Sequence, residues 1–215
     1  MLIFKIFVNL DYSMNYSLEQ KLLDQGFQNI CGIDEAGRGP LAGPLVAAAV
    51  ILDPQNLNPL SELKESKSLT SAKREYFFDI VRDNVISWSV GVVHNTEIDK
   101  HGLGFANKIA MKRAWTFLHV QPDYILIDHM PGVYFETPFE SFKKGDANIL
   151  SIAAASIIAK VIHDRIMDSF AKVYPNYGFD LHKGYGTAMH LEKINQLGLC
   201  PIHRTSFKPL KNKLL

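Results

Sequence analysis

Short apolar segments separated by polar loops run through the middle of the chain and predict β-strands. Four of them have the length and the β-branched content of strands and are bounded by glycine, proline or charged residues. They span residues 30–36, 44–52, 85–93 and 124–128, and 139–143 is a shorter, fifth candidate. Because only residues 37–43 separate the first two strands, these must be antiparallel neighbours; a parallel crossover needs a dozen residues or more.

Apolar residues that recur every three or four positions predict helices between these strands. The helices span 17–26, 71–84, 103–118 and 187–197, with a helical turn over 95–100. Ser17 is the expected N-cap of the first helix, and Tyr76 and Phe117 are expected among the residues that the helices bury. Segment 149–171 is apolar on almost every face, which predicts a buried central helix. The pattern as a whole indicates a mixed α/β fold.

Composition and charge narrow the class of protein. The chain has 215 residues, of which 47% are hydrophobic and 21% charged, and its formal net charge is +1; these values are typical of a globular domain. No apolar run approaches the length of a membrane span, so no membrane association is expected. The two cysteines, Cys31 and Cys200, lie far apart and form no CxxC motif. We therefore expect a reduced compartment, the cytoplasm.

The two ends of the chain differ from its middle. Residues 1–28 form an N-terminal extension with one short helix, ahead of a domain over 29–215. We hypothesise that Met14 is the native start and that residues 1–13 are not native. Segment 182–215 is rich in Lys and Arg and contains a single acid, Glu192. This basic end is either a solvated tail or a surface that faces phosphates.

Acidic residues follow two of the predicted strands. Asp34 and Glu35 end the first apolar run, Asp128 ends segment 124–128, and Asp146 precedes the buried helix. Strand ends meet at one edge of an α/β sheet, so these acids are expected to converge. Adjacent strand residues point to opposite faces, so Asp34 and Glu35 share a site only if the strand ends there and the turn redirects Glu35. Any one of the acids alone is as compatible with a cap or a turn.

A carboxylate cluster without basic partners repels itself and needs cations or protons. Oxygen-only ligands suit Mg²⁺ or Mn²⁺ better than zinc. Acidic clusters that cleave phosphodiesters use two divalent ions: one lowers the pKa of the attacking water and the other stabilises the leaving oxygen. The acids therefore favour a two-metal phosphodiesterase.

A Gly37-Arg38-Gly39 turn follows the first acid pair. It loosely matches a dinucleotide-binding pattern, but the distance to Asp53 is too short for the helix and strand which that motif requires. Glycines let backbone amides approach a sugar or phosphate closely. A backbone that contacts a 2′-OH can distinguish RNA from DNA. A plain tight turn between two strands is the alternative, which the glycines alone do not exclude.

Taken together, the motifs of this chain resemble those of ribonuclease HII, the bacterial type 2 ribonuclease H. The resemblance runs from about Asn29 to Lys208, and its motifs are Gly32–Pro40, Ser66-Lys67, Ile125–Asp128, Lys144–Asp146, Ser151–Val161 and His182–Tyr185. It implies an RNase H-like α/β fold: a mixed five-stranded sheet flanked by helices, with a helical C-terminal extension. It also implies cleavage of the RNA strand of RNA–DNA hybrids, and cleavage 5′ of single ribonucleotides embedded in duplex DNA. The products would carry 5′-phosphate and 3′-hydroxyl ends.

The same resemblance implies roles for individual residues. The catalytic acids, which would bind two Mn²⁺ or Mg²⁺ ions, are Asp34, Glu35, Asp128 and Asp146. Gly37, Arg38 and Gly39 would contact the 2′-OH at the RNA–DNA junction, and Tyr185 would pack against the following deoxyribose. Candidate phosphate contacts are Lys67, Lys183 and Arg204.

Three positions depart from the pattern of the family. They are Glu65, where aspartate is usual, His129-Met130, where Gly-Asn is usual, and His163, where arginine is common. His129 is expected to be a surface residue. None of these departures removes a catalytic position.

Two other functions stay open on the residues alone. One is a DNA-cutting nuclease of the same fold, and the other is a non-catalytic module that binds hybrids. The resemblance implies a monomer. Segment Phe207–Leu210 is either a docking segment for a sliding clamp or a frayed end.

Overall fold

The computed structural model describes residues 16–63 and 65–211. Its centre is a five-stranded sheet with the order β3-β2-β1-β4-β5. The strands are β1 (Ile30–Ala36), β2 (Leu45–Leu52), β3 (Val85–Val93), β4 (Tyr124–Asp128) and β5 (Phe139–Phe142). β2 pairs antiparallel with both β1 and β3, whereas β4 pairs parallel with both β1 and β5. The sheet is therefore mixed, all five predicted strands are confirmed, and the antiparallel pairing of the first two is confirmed.

Helices cover both faces of this sheet. They are α1 (Ser17–Asp24), α2 (Ser71–Asn84), α3 (Asn95–His101), α4 (Leu103–Thr116), α5 (Gly145–Asn148), α6 (Leu150–Val173), α7 (Phe179–His182), α8 (Ala188–Leu197) and α9 (Lys208–Lys211). Two short 3₁₀ turns lie at Asn58–Leu60 and Ser66–Ser68. The predicted helices are confirmed to within a few residues at each end. The predicted N-cap is wrong: Tyr16 caps α1 and Ser17 is its first helical residue.

The core consists of two apolar layers separated by the sheet. Helix α6 and helix α2 pack on one face, and α4 packs on the other. Strand β2 is buried along its whole length, because helices cover both of its faces, and it is accordingly apolar without alternation. Helix α6 is buried through most of its first half, as predicted. Gly32 permits its approach, since a Cβ there would lie 2.1 Å from the Ser151 carbonyl carbon.

Two aromatic residues predicted to be buried are exposed. Tyr76 is 61% and Phe117 66% accessible to solvent. In α2 the buried residues are Phe77, Phe78 and Val81, which pack against α6. Phe77, Ile80 and Val81 of the predicted apolar face do contact the core, and Tyr76 lies just outside that face.

The C-terminal segment is folded against the domain as far as Lys211. Leu210 is fully buried and packs with Leu41 and Ile194. The expectation of a frayed end over Phe207–Leu210 is therefore wrong, because this leucine completes a small apolar cluster. The hypothesis on Met14 and residues 1–13 concerns residues outside the described part of the chain. Within residues 16–63 and 65–211 there is no helix long and apolar enough to cross a membrane.

Candidate active site

The parallel pairing of β1 with β4 stops at Ile33 and Ile127, one residue before the acids. Strand β1 itself continues to Ala36, paired with β2 alone. The strand thus runs through the acids over its predicted range, so the condition that it must end there for them to share a site was wrong; only its pairing with β4 ends there. A gap opens between the two strands, and Asp34, Glu35 and Asp128 all line the resulting cleft of about 250 Å³.

Each of the four predicted catalytic acids accepts a hydrogen bond from a donor of the protein. Asp34 Oδ1 accepts from the Glu35 N–H at 2.7 Å, and Asp128 Oδ1 accepts from the Gly145 N–H at 2.9 Å. The other two acids, Glu35 and Asp146, pair with positively charged side chains. Glu35 Oε1 lies 3.1 Å from Arg38 Nη1, and Asp146 Oδ2 lies 2.9 Å from Lys67 Nζ. Asp146 is buried behind Lys67, which itself lines the cleft.

Repulsion and burial raise the pKa of the central acids. The pKa of Asp34 is raised well above its ordinary value, chiefly by burial and then by the negative charges of Glu35, Asp128 and Asp146. Burial also raises the pKa of Glu35, and the Arg38 guanidinium opposes that shift. The cluster is therefore short of positive charge.

These residues fit a divalent cation by their chemistry. All four donors are carboxylates, and Glu35 Oε2 is buried without a hydrogen-bond partner in the described part of the chain. In residues 16–63 and 65–211, no three acidic, histidine or cysteine side chains converge on one point as they stand. Each of the four acids instead directs a carboxylate oxygen at its own hydrogen-bond donor. Hard cations would satisfy the unpaired oxygen and relieve the repulsion.

The Gly-Arg-Gly turn forms one wall of the cleft. Gly37 has a φ of +87°, a conformation that favours glycine. A Cβ there would also lie 2.6 Å from His163 Cδ2 and 2.7 Å from the Pro44 carbonyl oxygen. Both the backbone and the packing therefore require glycine at this position.

Tyr185 lies next to Gly39 of the turn and also lines the cleft. Its side chain is partly exposed, and a Cβ on Gly39 would lie 3.3 Å from its Cε1 atom. Lys160 Nζ lies 5.7 Å from the centroid of the Tyr185 ring. The ring therefore borders the same cleft as the turn and three of the acids, Asp34, Glu35 and Asp128.

Two candidate phosphate contacts are not in the cleft. Lys183 is paired with Asp168 and is absent from the residues that line it. Arg204 is 0% exposed, and its guanidinium donates to four backbone carbonyls. The interpretation of Arg204 as a phosphate contact is wrong, because it has no surface that a phosphate can reach.

Lys160, Ser66 and Ser156 line the cleft but were not singled out from the sequence. Lys160 donates to Asp164 at 2.7 Å, and the two serine hydroxyls are 2.6 Å apart. Lys160 had a signal: it is the one charged residue in the apolar run from Ile149 to Ile162. His129 is exposed, as expected.

A mixed five-stranded sheet whose strand-end acids line an open cleft defines the class of metal-dependent RNase H-like nucleases. The family model for ribonuclease HII matches residues 31–210. The ribonuclease HII of Listeria innocua is 48% identical over 92% of this chain and 74% of its own. That of Acholeplasma laidlawii is 46% identical over 93% and 97%, respectively. The chain belongs to the ribonuclease HII family, and it is an endoribonuclease that acts on RNA–DNA hybrids with divalent metal.

Solved structures agree with this assignment of fold. The ribonuclease H2 of Pyrococcus horikoshii OT3 superposes with a TM-score of 0.74 at 29% identity, over 86% of this chain and 96% of that one. The RNase HII of Archaeoglobus fulgidus, solved in a complex with PCNA, gives a TM-score of 0.71 at 24% identity, over 84% and 95%. The expected RNase H-like fold is confirmed.

Proposed function

We propose that this ribonuclease H also incises DNA duplexes 5′ of a single embedded ribonucleotide, through a two-metal-ion mechanism. One observation carries the proposal: three of the acids (Asp34, Glu35 and Asp128), the Gly-Arg-Gly turn and Tyr185 line the same cleft, and the fourth acid, Asp146, pairs with Lys67 of its lining. Arg38 of the turn even pairs with Glu35 of the acid cluster. Groups suited to hydrolysis and groups suited to recognising a ribose are therefore neighbours.

The four acids Asp34, Glu35, Asp128 and Asp146 would hold two Mn²⁺ or Mg²⁺ ions. When bound, such ions lower the pKa of the attacking water and stabilise negative charge on the leaving oxygen. A fold neighbour, Bst-RNase HIII, has been solved in complex with Mn²⁺. Water adds to the phosphorus and the 3′ oxygen leaves, so the products carry 5′-phosphate and 3′-hydroxyl ends.

Residues of the cleft wall would select the substrate. Backbone groups of Gly37, Arg38 and Gly39 meet the 2′-OH of the ribonucleotide, which is both donor and acceptor. The flat ring of Tyr185 packs on the next deoxyribose, where a 2′-hydroxyl would crowd it. Lys67 contacts a phosphate from within the cleft. Lys183 contacts one farther along the duplex.

A panel of three duplexes tests this function. One carries a single ribonucleotide in DNA, one is a long RNA–DNA hybrid, and one is all DNA; each is assayed with Mg²⁺, with Mn²⁺ and with EDTA. We expect metal-dependent cleavage of the first two, with 5′-phosphate ends. Equal cleavage of the all-DNA duplex would favour the DNA-cutting alternative. Binding without any metal-dependent cleavage would favour a binding module.

The proposed partners and compartment follow from the same assignment. We propose a cytoplasmic monomer, in line with two cysteines that are both free. A sliding clamp is a further proposed partner, because the Archaeoglobus fulgidus relative was solved with PCNA. Since Leu210 is buried in the apolar cluster with Leu41 and Ile194, docking through Phe207–Leu210 requires that leucine to leave it. A pull-down with the host's clamp, using the full chain and a chain ending at Arg204, tests this partner.

A further inference from the structure

Arg204 lies beneath the Gly-Arg-Gly turn and binds its backbone. Its Nη2 donates to the carbonyl oxygens of Gly37 and Pro44, both at 2.7 Å. Its Nη1 donates to the Arg38 carbonyl at 3.2 Å, and its Nε to the Gly43 carbonyl at 2.9 Å. One guanidinium therefore fixes both ends of the loop that connects β1 to β2.

This arrangement is an unusual use of a buried charge. Within the described residues, no acid forms a salt bridge with Arg204; backbone carbonyls contact the guanidinium directly, and the negative charge of Asp99 acts on it from farther away. Burial lowers the pKa of Arg204 to about 10, so the group is still charged at neutral pH. A buried charge without a counter-ion is costly. An apolar side chain would leave the four carbonyl oxygens without this donor, so the arginine is matched to the backbone of the turn.

The direction of the carbonyls decides what the turn offers to the cleft. In a trans peptide the C=O and the next N–H point in opposite directions, and the described chain contains no cis peptide. With the carbonyls of Gly37 and Arg38 held towards Arg204, the N–H groups of Arg38 and Gly39 point away from it. Neither N–H donates a hydrogen bond to another described residue. The turn thus presents two free donors on the side away from Arg204.

The segment that carries Arg204 is itself held firmly. The Arg204 N–H donates to the Leu41 carbonyl at 2.8 Å. Asp99 then accepts four hydrogen bonds from the backbone and hydroxyl groups of Thr205 and Ser206. The Phe207 ring lies 5.2 Å from the guanidinium carbon. Arg204 can therefore act as a fixed anchor for the turn.

We infer that Arg204 is a positioning residue for substrate specificity: it sets the peptide orientation with which the turn donates to a 2′-OH. The inference rests on the proposed role of the turn in reading ribose. Arg204 touches no substrate atom. Its effect should be on the preference for ribose over deoxyribose and should leave the acid cluster unchanged.

The test is an equilibrium binding experiment with Arg204→Lys. Lysine keeps the positive charge but lacks the planar fork that reaches several carbonyls at once. Both proteins carry Asp34→Asn, so that the duplex stays intact, and binding is measured in Mg²⁺. The probes are a DNA duplex with one ribonucleotide and the same duplex in all-DNA form. Arg82→Lys is the matched control, because Arg82 is exposed and pairs with Asp79 and Asp83 on the surface of α2.

We expect Arg204→Lys to lower the preference for the ribonucleotide duplex about tenfold, the equivalent of about one hydrogen bond. Binding of the all-DNA duplex should change less than about twofold, as should both affinities in the control. An unchanged preference, or an equal loss on both duplexes, would overturn the inference. If the Asp34→Asn protein that retains Arg204 shows no preference for the ribonucleotide duplex, the proposed function fails, and the inference fails with it.

Hydrogen exchange provides a second readout that does not depend on substrate. The Leu41 and Gly43 amides, which donate to the Gly184 and Ile202 carbonyls, should exchange faster in Arg204→Lys, while those of α2 stay unchanged. Unaltered exchange in the turn would overturn the anchoring role. If Arg204→Lys fails to fold, Phe207→Leu removes the ring next to the guanidinium and should give a smaller loss of the same preference. No loss in that variant would also count against the inference.

Discussion

The Lys67 ammonium lies 2.9 Å from a carboxylate oxygen of Asp146, although the lysine side chain is 76% exposed and the aspartate is buried. The hydrogen bond to Asp146 is the main cause of the raised pKa of Lys67. An exposed side chain thus holds a buried acid of the proposed catalytic cluster. In the free protein the lysine occupies an oxygen of Asp146, which is one of the proposed metal ligands.

Replacing Lys67 by methionine should therefore change metal binding and substrate binding in opposite directions. Metal binding to the free protein should tighten by no more than about fivefold, because an exposed ion pair contributes at most about 1 kcal/mol. Substrate binding should weaken, and its dependence on log salt should fall by about one unit, as expected for a lost phosphate contact. Calorimetry with Mn²⁺ and a salt titration measure the two. Lys73→Met, an exposed lysine on α2, is the control, and weaker metal binding in Lys67→Met would contradict the competition.

Stability of the metal-free protein should depend on pH through Asp34. The pKa of Asp34 in the folded state is raised above its ordinary value of 3.8. Between these two pKa values the folded protein therefore binds more protons than the unfolded chain. The free energy of unfolding therefore falls as the pH rises from 3.8 through the raised pKa. In Asp34→Asn this fall should be smaller, with a remainder from Glu35, whose pKa is also raised. Urea unfolding in EDTA at several pH values measures it, and parallel curves for the two proteins would refute the assignment.

Gly37 should tolerate no side chain. Alanine there combines a φ of +87° with contacts of 2.6 Å to His163 and 2.7 Å to Pro44, and a strained backbone alone costs about 1–3 kcal/mol. Gly37→Ala should lower the melting temperature and weaken binding of a ribonucleotide duplex. Gly104 is the matched control, since a Cβ there meets nothing within 4 Å. Equal melting temperatures for the two variants would show that the turn relaxes without cost.

Much of this fold was predictable because its signals are local. The buried strands are continuous apolar runs, and α6 is apolar on almost every face. Tyr76 and Phe117 were misjudged because helical periodicity alone does not set which neighbouring position faces the core. That choice depends on the residues packed against α2 and α4.

Most of the residues that line the cleft could be named from the sequence, whereas Lys160 and Ser156 were not, and the geometry of the cleft was less predictable still. Asp34 and Glu35 share a cleft because pairing with β4 stops at Ile33, a tertiary feature with no local signal. Arg204 lies in a basic segment that resembles a solvated tail, yet it is fully buried. Only the fold shows that its partners are the carbonyls of a turn far away in sequence.

Tyr185 should matter more for a junction than for a long hybrid. Tyr185 is 42% exposed beside Gly39, and its removal would take away the surface on which we propose that the deoxyribose packs. Tyr185→Ala should lose more kcat/KM on a single embedded ribonucleotide than on a long hybrid. Tyr185→Phe keeps the ring and should retain most of the activity on both. Equal losses of Tyr185→Ala on the two substrates would argue against a role at the junction.

The most direct measurement is single-turnover cleavage of a DNA duplex with one ribonucleotide by Asp34→Asn, with the affinity for that duplex measured in parallel. The substitution removes one ligand charge from the acid cluster and keeps the shape of the side chain. We predict that the rate falls by several orders of magnitude while the affinity is largely unchanged. Asp83→Asn, an exposed aspartate on α2, should cleave normally. Near-normal cleavage by Asp34→Asn would contradict the account.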